Sequence, residues 1–291
     1  MPVLPPSVLS LTLQFLATEF EVACDSPEFL RLLSAGAPRA TQLYPIEIRH
    51  GLRVEVAGKG HHLLGDDGWE AAGFSTHTAL TTLRQRMIER ALSALPDHVL
   101  IRTAIGYHRG HAFLLVGGHN TGRSTLAVAL TLAGFDVSGD DLALFRDGQV
   151  IAFPSRFLLW ETSWPLLPEL PALPGSEVPV GRGRERQMHL DPIDLGLDWV
   201  IRPAPIGAVF CVEPNYGGRS MLTPCSTVEA ARRIIPHCGA PQSGDRSWTA
   251  RLWATLDRAH TAVLTLGTPE TAVRWIGTAL DHLPPREHPA A

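Results

Sequence analysis

Between Gly117 and Thr125 the chain reads Gly-Gly-His-Asn-Thr-Gly-Arg-Ser-Thr. Gly117, Gly122 and Ser124 fall in the register of the phosphate-binding pattern G-x-x-x-x-G-K-[ST], with Arg123 standing where that pattern has lysine. Such a loop works because glycines let several backbone N–H groups point at one anion. The helix that follows adds about half a positive charge at its N-terminus. The residue before the hydroxyl reaches the β- and γ-phosphates, and the Ser124 hydroxyl is a ligand type for Mg2+. The expected cofactor is therefore ATP with Mg2+. Gly117, Gly118, His119, Asn120, Thr121, Gly122, Arg123, Ser124 and Thr125 would form its cradle.

Arg123 has two readings. Its guanidinium keeps the charge and offers a planar fork to phosphate oxygens, so binding can survive. It is also bulkier than an ammonium, and losing one well-placed donor costs about 10²–10³ in turnover. Downstream, Asp140 and Asp141 stand together in "VSGDDLALF" at the end of an expected strand. Two carboxylates beside a phosphate loop can divide their roles, one holding Mg2+ and the other accepting a proton from an attacking hydroxyl. Asp66 and Asp67, in "GDDGW", have no such neighbour and read as a solvated turn.

The elements needed to hold these groups are legible. "HVLIRTAIG" and "AFLLVG" alternate as two strands around the polar turn "YHRGH", and the second runs into the glycine loop. "STLAVALTLAG" then reads as a helix ending at Gly134. "FDVSGDDLALFRDGQVIAF" predicts short strands around an Asp147-Gly148 turn. "IGAVFCVE" and "AVLTLG" are further strands. Ser226 with Glu229 has the spacing of a capping box, and Thr268-Pro269 opens the last helix.

Before this region, Leu9, Leu11, Leu13 and Phe15 alternate as a half-buried strand. Ile46/Ile48 and Leu52/Val54/Val56 predict a hairpin around His50-Gly51. Leu80, Leu83, Met87, Ala91 and Leu95 mark one face of a helix closed by Pro96. Residues 1–96 are thus expected to form a small N-terminal α+β region and residues 97–284 a nucleotide-binding domain. Residues 285–291 would be a flexible tail. The expected class is α/β, a mixed sheet carrying the phosphate loop plus the small N-terminal part.

The length of 291 residues suits one large domain or a domain with an addition, and such a chain buries roughly 75% of its unfolded surface without a metal or disulfide staple. Hydrophobic content of 45% and charged content of 19% are those of a soluble globular protein. A net charge of −4 argues against a nucleic-acid partner. No apolar run reaches membrane-spanning length, and the N-terminus lacks the basic stretch of a signal peptide. Cys24, Cys211, Cys225 and Cys238 are scattered, which predicts buried thiols in a reducing, cytoplasmic setting.

A phosphate loop, its helix and an Asp-Asp pair about fifteen residues beyond resemble the HPr kinase/phosphorylase group, which shares its nucleotide site with phosphoenolpyruvate carboxykinase. The likeness is to the shorter bacterial HPr-kinase-related proteins, including those that phosphorylate serine in ribosomally made peptides. It covers roughly residues 99–153; "FPSRFLLWE" and "GRERQMHLDPIDLG" are looser landmarks. The resemblance implies that Gly117 to Thr125 hold the ATP phosphates and that Ser124 binds Mg2+. It implies that Asp140 is the base for a serine hydroxyl and Asp141 a metal ligand or second acid. Two positions depart from it. Arg123 replaces the loop lysine, and Arg102, in "LIRTA", replaces a histidine of the preceding strand.

Other groups carry less chemistry. Thirteen histidines include His98, His108, His111 and His119 near the loop, but none has metal-ligand spacing with a carboxylate. Arg182, Arg184 and Arg186 lie in the Pro- and Gly-rich stretch from Trp160 to Arg186, either as a solvated loop or as a cover for an anionic ligand. Arg156 and Trp160 share that ambiguity. Trp248, Trp253 and Trp275 are expected in helix packing. No G-x-S-x-G motif is present.

The expected activity is that of a serine kinase acting on a protein or peptide, with Asp140, Asp141, Arg123 and Arg102 in the catalytic group and Ser124 and Asp141 on the metal. The alternatives are a small-molecule kinase and a catalytically weakened nucleotide-binding partner of a biosynthetic complex. A homo-oligomer is compatible with either.

Overall fold

Apolar residues at every second position pair Leu9–Phe15 (β1) with Thr18–Cys24 (β2) in the computed structural model. The structure describes residues 9–58, 60–170, 176–179 and 186–285. It forms two units, one of residues 1–38 and 42–96, the other of residues 39–41 and 97–291.

In the first unit, α1 (Pro27–Ala35) follows β2, with Ser26 Oγ accepting the Phe29 amide as its cap. After the two-residue β3 (Thr41–Gln42) come β4 (Ile48–Ala57), β5 (Gly60–Gly65), β6 (Glu70–Phe74) and α2 (Thr76–Ser93). The sheet order is β1-β2-β4-β5-β6, with β2 and β4 parallel and the other pairs antiparallel. The hairpin expected at His50-Gly51 does not form there. Both residues lie inside β4, paired with Phe20 and Glu21, and the His50 ring stacks on Phe20 with centroids 5.7 Å apart. Helix α2 buries Ala79, Leu83, Met87 and Ala91; Leu80, expected on that face, is only half-buried.

The second unit opens with β7 (Val99–His108) and β8 (His111–Val116), joined by a turn in which Arg109 and Gly110 both have positive φ. Helix α3 (Arg123–Leu132) ends at Gly134, φ +88°, as its sequence predicts. β9 (Asp136–Gly139), β10 (Leu142–Arg146) and β11 (Gln149–Ala152) follow, the last two around the Asp147-Gly148 turn. β12 (Phe157–Trp160), β13 (Ser176–Pro179) and β14 (Arg186–Leu190) make a separate three-stranded sheet. The stretch from Trp160 to Arg186 therefore carries strands, together with a 3-10 turn at Glu161–Leu166.

After β15 (Val200–Ile201), the remaining elements are β16 (Ala204–Pro214), β17 (Met221–Pro224), α4 (Thr227–Ile234), β18 (Cys238–Gly239), α5 (Trp248–Leu256), β19 (His260–Leu266) and α6 (Pro269–Asp281). The large sheet has the order β11-β10-β7-β8-β16-β19-β17, with β9 and β18 also paired to β7. It is mixed: β16 runs parallel to β8 and β19, and the other ladders are antiparallel. The class is α/β.

The core follows from the pleat. Phe113 and Leu115 of β8, Phe210 and Val212 of β16, and Leu264 of β19 share one cluster with Leu126, Val128 and Leu130 of α3 and Ile276 and Leu280 of α6. Burying side chains of this size stabilises by about 1.5–3 kcal/mol each. Alternate residues face the other way, where Cys211 lies close to Glu229 and Arg233 of α4. Tyr107, buried near the end of β7, donates its hydroxyl to the Arg202 carbonyl at 2.7 Å and accepts the Ala152 amide at 3.4 Å.

Two expectations about the surface are corrected. Cys24 and Cys211 are buried free thiols, whereas Cys225 and Cys238 are only half-buried. Trp253 and Trp275 are 44% and 43% exposed rather than buried in helix packing, although the Trp275 indole donates to the Ser220 carbonyl at 3.0 Å. No helix among the described residues is long and apolar enough to cross a membrane.

Candidate functional site

Strand β7 exchanges both of its neighbours at one level. On one flank β10 pairs with Val99 to Arg102, and β9 takes over at Ile105. Asp140 and Asp141 fill the gap between, with the Asp141 carbonyl accepting the Thr103 amide at 3.0 Å. On the other flank β8 ends at Val116, opposite Thr103, and β18 takes over with Cys238 opposite Ile101. The chain leaves β8 at this point as the Gly117 loop, while the antiparallel register brings His237 to the level of Arg102. Strand ends that part company in this way leave the crevice in which open sheets bind ligands.

Two of the loop's glycines, Gly117 and Gly122, are required by its path. A Cβ on Gly117 would stand 2.7 Å from Thr121 Oγ1 and 3.1 Å from the Val212 carbonyl. Gly122 has φ +84°, and a Cβ there would meet Leu266 Cδ2 at 2.7 Å. Asn120 takes positive φ as well, which asparagine tolerates better than most residues. Thr121 Oγ1 donates to the Gly118 carbonyl at 3.0 Å, and the exposed Tyr216 donates its hydroxyl to the Asn120 carbonyl. Among the described residues, the first backbone N–H after the loop to find a carbonyl is that of Leu126, on Gly122 at 2.9 Å. The amides before it are free to meet an anion.

Arg123 is turned inward. Its Nε donates to the Asp140 carbonyl at 3.1 Å, and its Nη1 donates to the Gly117 carbonyl at 2.8 Å and more distantly to that of Arg102 at 3.5 Å. Those carbonyls belong to three different chain segments, just beyond β9, just beyond β8 and within β7. Burial lowers the guanidinium's proton affinity, and the charges of Asp140 and Asp141 act in the opposite sense.

Asp140 is only 3% exposed. Its carboxylate accepts the Leu158 amide at 3.3 Å, and the Ser124 hydroxyl nearby favours its charged form. Burial pushes the carboxyl up to about 6, Ser124 and Leu158 working against it. Asp141, one residue on, is exposed. Among the described residues no group of three or more His, Cys, Asp or Glu side chains could hold a metal. Ser124, Asp140 and Asp141 are instead oxygen donors of the kind that Mg2+ uses alongside substrate phosphates and water.

Arg102, Arg123, Ser124, Asp140 and Asp141 are thus brought together. His237 completes the group and was not distinguished in the sequence. Only the pairing of β18, which it precedes, beside β7 gives it significance. Burial, Arg123 and Arg102 together lower the proton affinity of its imidazole.

Several other candidates lie elsewhere or are committed to partners. Arg156 Nε donates to Asp191 Oδ1 at 3.0 Å, and Arg39 Nε donates to Asp191 Oδ2 at 2.7 Å, so Arg156 serves an ion-pair network. Arg186 pairs with Glu161 at 2.9 Å and lies over the Trp164 ring. Arg182 and Arg184 are outside the described residues. His98 is buried, and His108 lies near Asp281 at 3.6 Å. A cleft of about 460 Å³ at the opposite end of β7 is lined by residues including Tyr107, Phe135, Asp136 and Arg202. Its charges are largely paired with each other, Arg202 Nη2 lying 3.0 Å from Asp136, and it touches none of the loop residues.

No family model matches the chain, and no curated protein matches its sequence. Among solved structures it is similar to the Hpr(Ser) kinase/phosphatase from Coxiella burnetii. That match has 13% identity and a TM-score of 0.29, and it covers 63% of this chain and 98% of that one. At that score the likeness decides neither fold nor activity.

Proposed function

We propose that the chain is an ATP-dependent kinase that transfers the γ-phosphoryl group to a serine hydroxyl of a protein or peptide. The observation that carries this reading is the convergence, at the crossover of β7, of a glycine loop with free amides, the Ser124 hydroxyl and a carboxylate pair. In the reaction the acceptor oxygen bonds to the γ-phosphorus as the bond to the β-phosphate bridging oxygen breaks, and ADP leaves. The acceptor's proton passes to the Asp140 carboxylate, whose raised proton affinity suits a base working near neutral pH. The loop amides bind and orient the phosphates. Mg2+, held by Ser124 and Asp141, would neutralise charge on the transferred group. Phosphoryl transfer asks for little more than this positioning and charge balance.

A second reading, a nucleotide-binding partner with weakened chemistry, is favoured by the inward turn of Arg123. Retention of both carboxylates favours the kinase.

Calorimetric titration of the full chain with ATP, with and without Mg2+, tests the site. Magnesium-dependent binding that Ser124→Ala removes is the expected result; no binding at millimolar ATP would sink both nucleotide readings. Transfer of the γ-phosphate to serine peptides, lost in Asp140→Asn, then separates kinase from accessory protein.

A further inference from the structure

A cation in the position of Arg123 is expected to reach the nucleotide's outer phosphates. Here that side chain is occupied. Three of its five N–H donors go to the carbonyls of Asp140, Gly117 and Arg102, and the two on Nη2 remain. Those carbonyls follow β9, begin the loop and lie on β7, the three segments that meet at the crossover. To swing toward a phosphate the guanidinium would have to abandon all three in a half-buried setting, where unpaired carbonyls are costly.

Two other groups at the same level are not committed. The Arg102 guanidinium is exposed and the His237 ring half-buried, and neither makes a hydrogen bond or ion pair among the described residues. The β18 ladder ends with Cys238 opposite Ile101, and His237, the last residue of the 3-10 turn before it, comes next beside Arg102, whose charge acts on its imidazole. This position lies between the loop on one side and Asp140 and Asp141 on the other.

We infer that Arg123 is a positioning residue that fastens these three segments together, and that Arg102 and His237 are the side chains that meet the terminal phosphate of the bound nucleotide. This rests on the nucleotide reading given above. Arg102 supplies the permanent charge and His237 an N–H donor, replacing the single ammonium of the usual loop with a pair from two other segments. The guanidinium of Arg102 can take two phosphate oxygens at once, which favours a terminal phosphate over a bridging one.

The test compares ATP with ADP, both with Mg2+, by calorimetry on the full chain, alongside thermal melting without ligand. Arg102→Ala and His237→Gln should each weaken ATP by about tenfold while changing ADP by less than about threefold, with melting temperatures near wild type. Arg123→Ala should lower the melting temperature by several degrees and weaken both nucleotides in parallel. ATP affinity unchanged in Arg102→Ala and His237→Gln would overturn the phosphate assignment. An ATP-selective loss in Arg123→Ala with an unchanged melt would overturn the positioning role. A wild-type chain that binds neither nucleotide removes the nucleotide reading and the phosphate assignment with it. The fastening role is then decided by the ligand-free melt of Arg123→Ala against Arg102→Ala.

Discussion

The Ser124 hydroxyl, in the first turn of the loop helix, favours the charged form of the Asp140 carboxylate just beyond the end of β9. The hydroxyl expected to face the metal thus also works against the burial that raises this carboxyl.

Replacing Asp140 by asparagine keeps shape and removes the proton acceptor. Transfer should fall by about 10²–10⁴, the usual worth of a general base, with nucleotide affinity within about threefold of wild type. Single-turnover transfer assays beside calorimetry measure both. Transfer persisting at the wild-type rate would assign the base elsewhere.

The same substitution has a pH-dependent effect on stability. Asp140 folds with a carboxyl raised to about 6, above its ordinary unfolded value of about 3.9, so the folded state holds this proton more tightly. Its burial costs nothing below about pH 4; the penalty grows between pH 4 and 6 and stays above that. Asp140→Asn should therefore gain on wild type as pH rises through this window, by on the order of 3 kcal/mol at pH 7. Urea unfolding at pH 4, 5.5 and 7 without divalent metal gives the difference. A gap that does not change with pH would mean the carboxylate is solvated.

Gly122→Ala places a Cβ at φ +84° and against Leu266. The backbone strain and the contact together should cost about 2 kcal/mol. Gly118→Ala is the control, since a Cβ there meets nothing closer than Thr121 Cγ2 at 4.0 Å. Equal unfolding midpoints for the two variants would contradict the loop geometry.

Asp191, fully buried, accepts from both Arg39 and Arg156. Asp191→Ala leaves Arg156 without this partner and should cost about 3 kcal/mol, as breaking buried pairs does. ATP affinity measured below the melting transition should not change. A large loss of affinity with intact stability would place this network in the ligand site.

The local rules carried the reading of the loop, its flanking strands and its helix, because glycine spacing and the apolar period act over a few residues. The turn placed at His50-Gly51 failed for the complementary reason. A histidine and a glycine look like punctuation locally, yet pairing with β2 and the stack on Phe20 keep the strand running. The capping box at Ser226 is half present: Ser226 Oγ accepts the Glu229 amide, while the Glu229 carboxylate is taken by Arg233. His237 and the inward turn of Arg123 depend on which strand lies beside β7. No window along the chain contains that information.

The buried hydroxyl of Tyr107, held between the Arg202 carbonyl and the Ala152 amide, has a consequence for the assembly of the chain. It acts as an index mark on β7. A slip of one residue would pull the hydroxyl from both partners and turn every side chain of the strand to the opposite face. Arg102 would then point away from the loop while the sheet remained fully bonded. Misthreaded molecules of that kind would be compact and inert, and it is the tyrosine at the far end of the strand that penalises them.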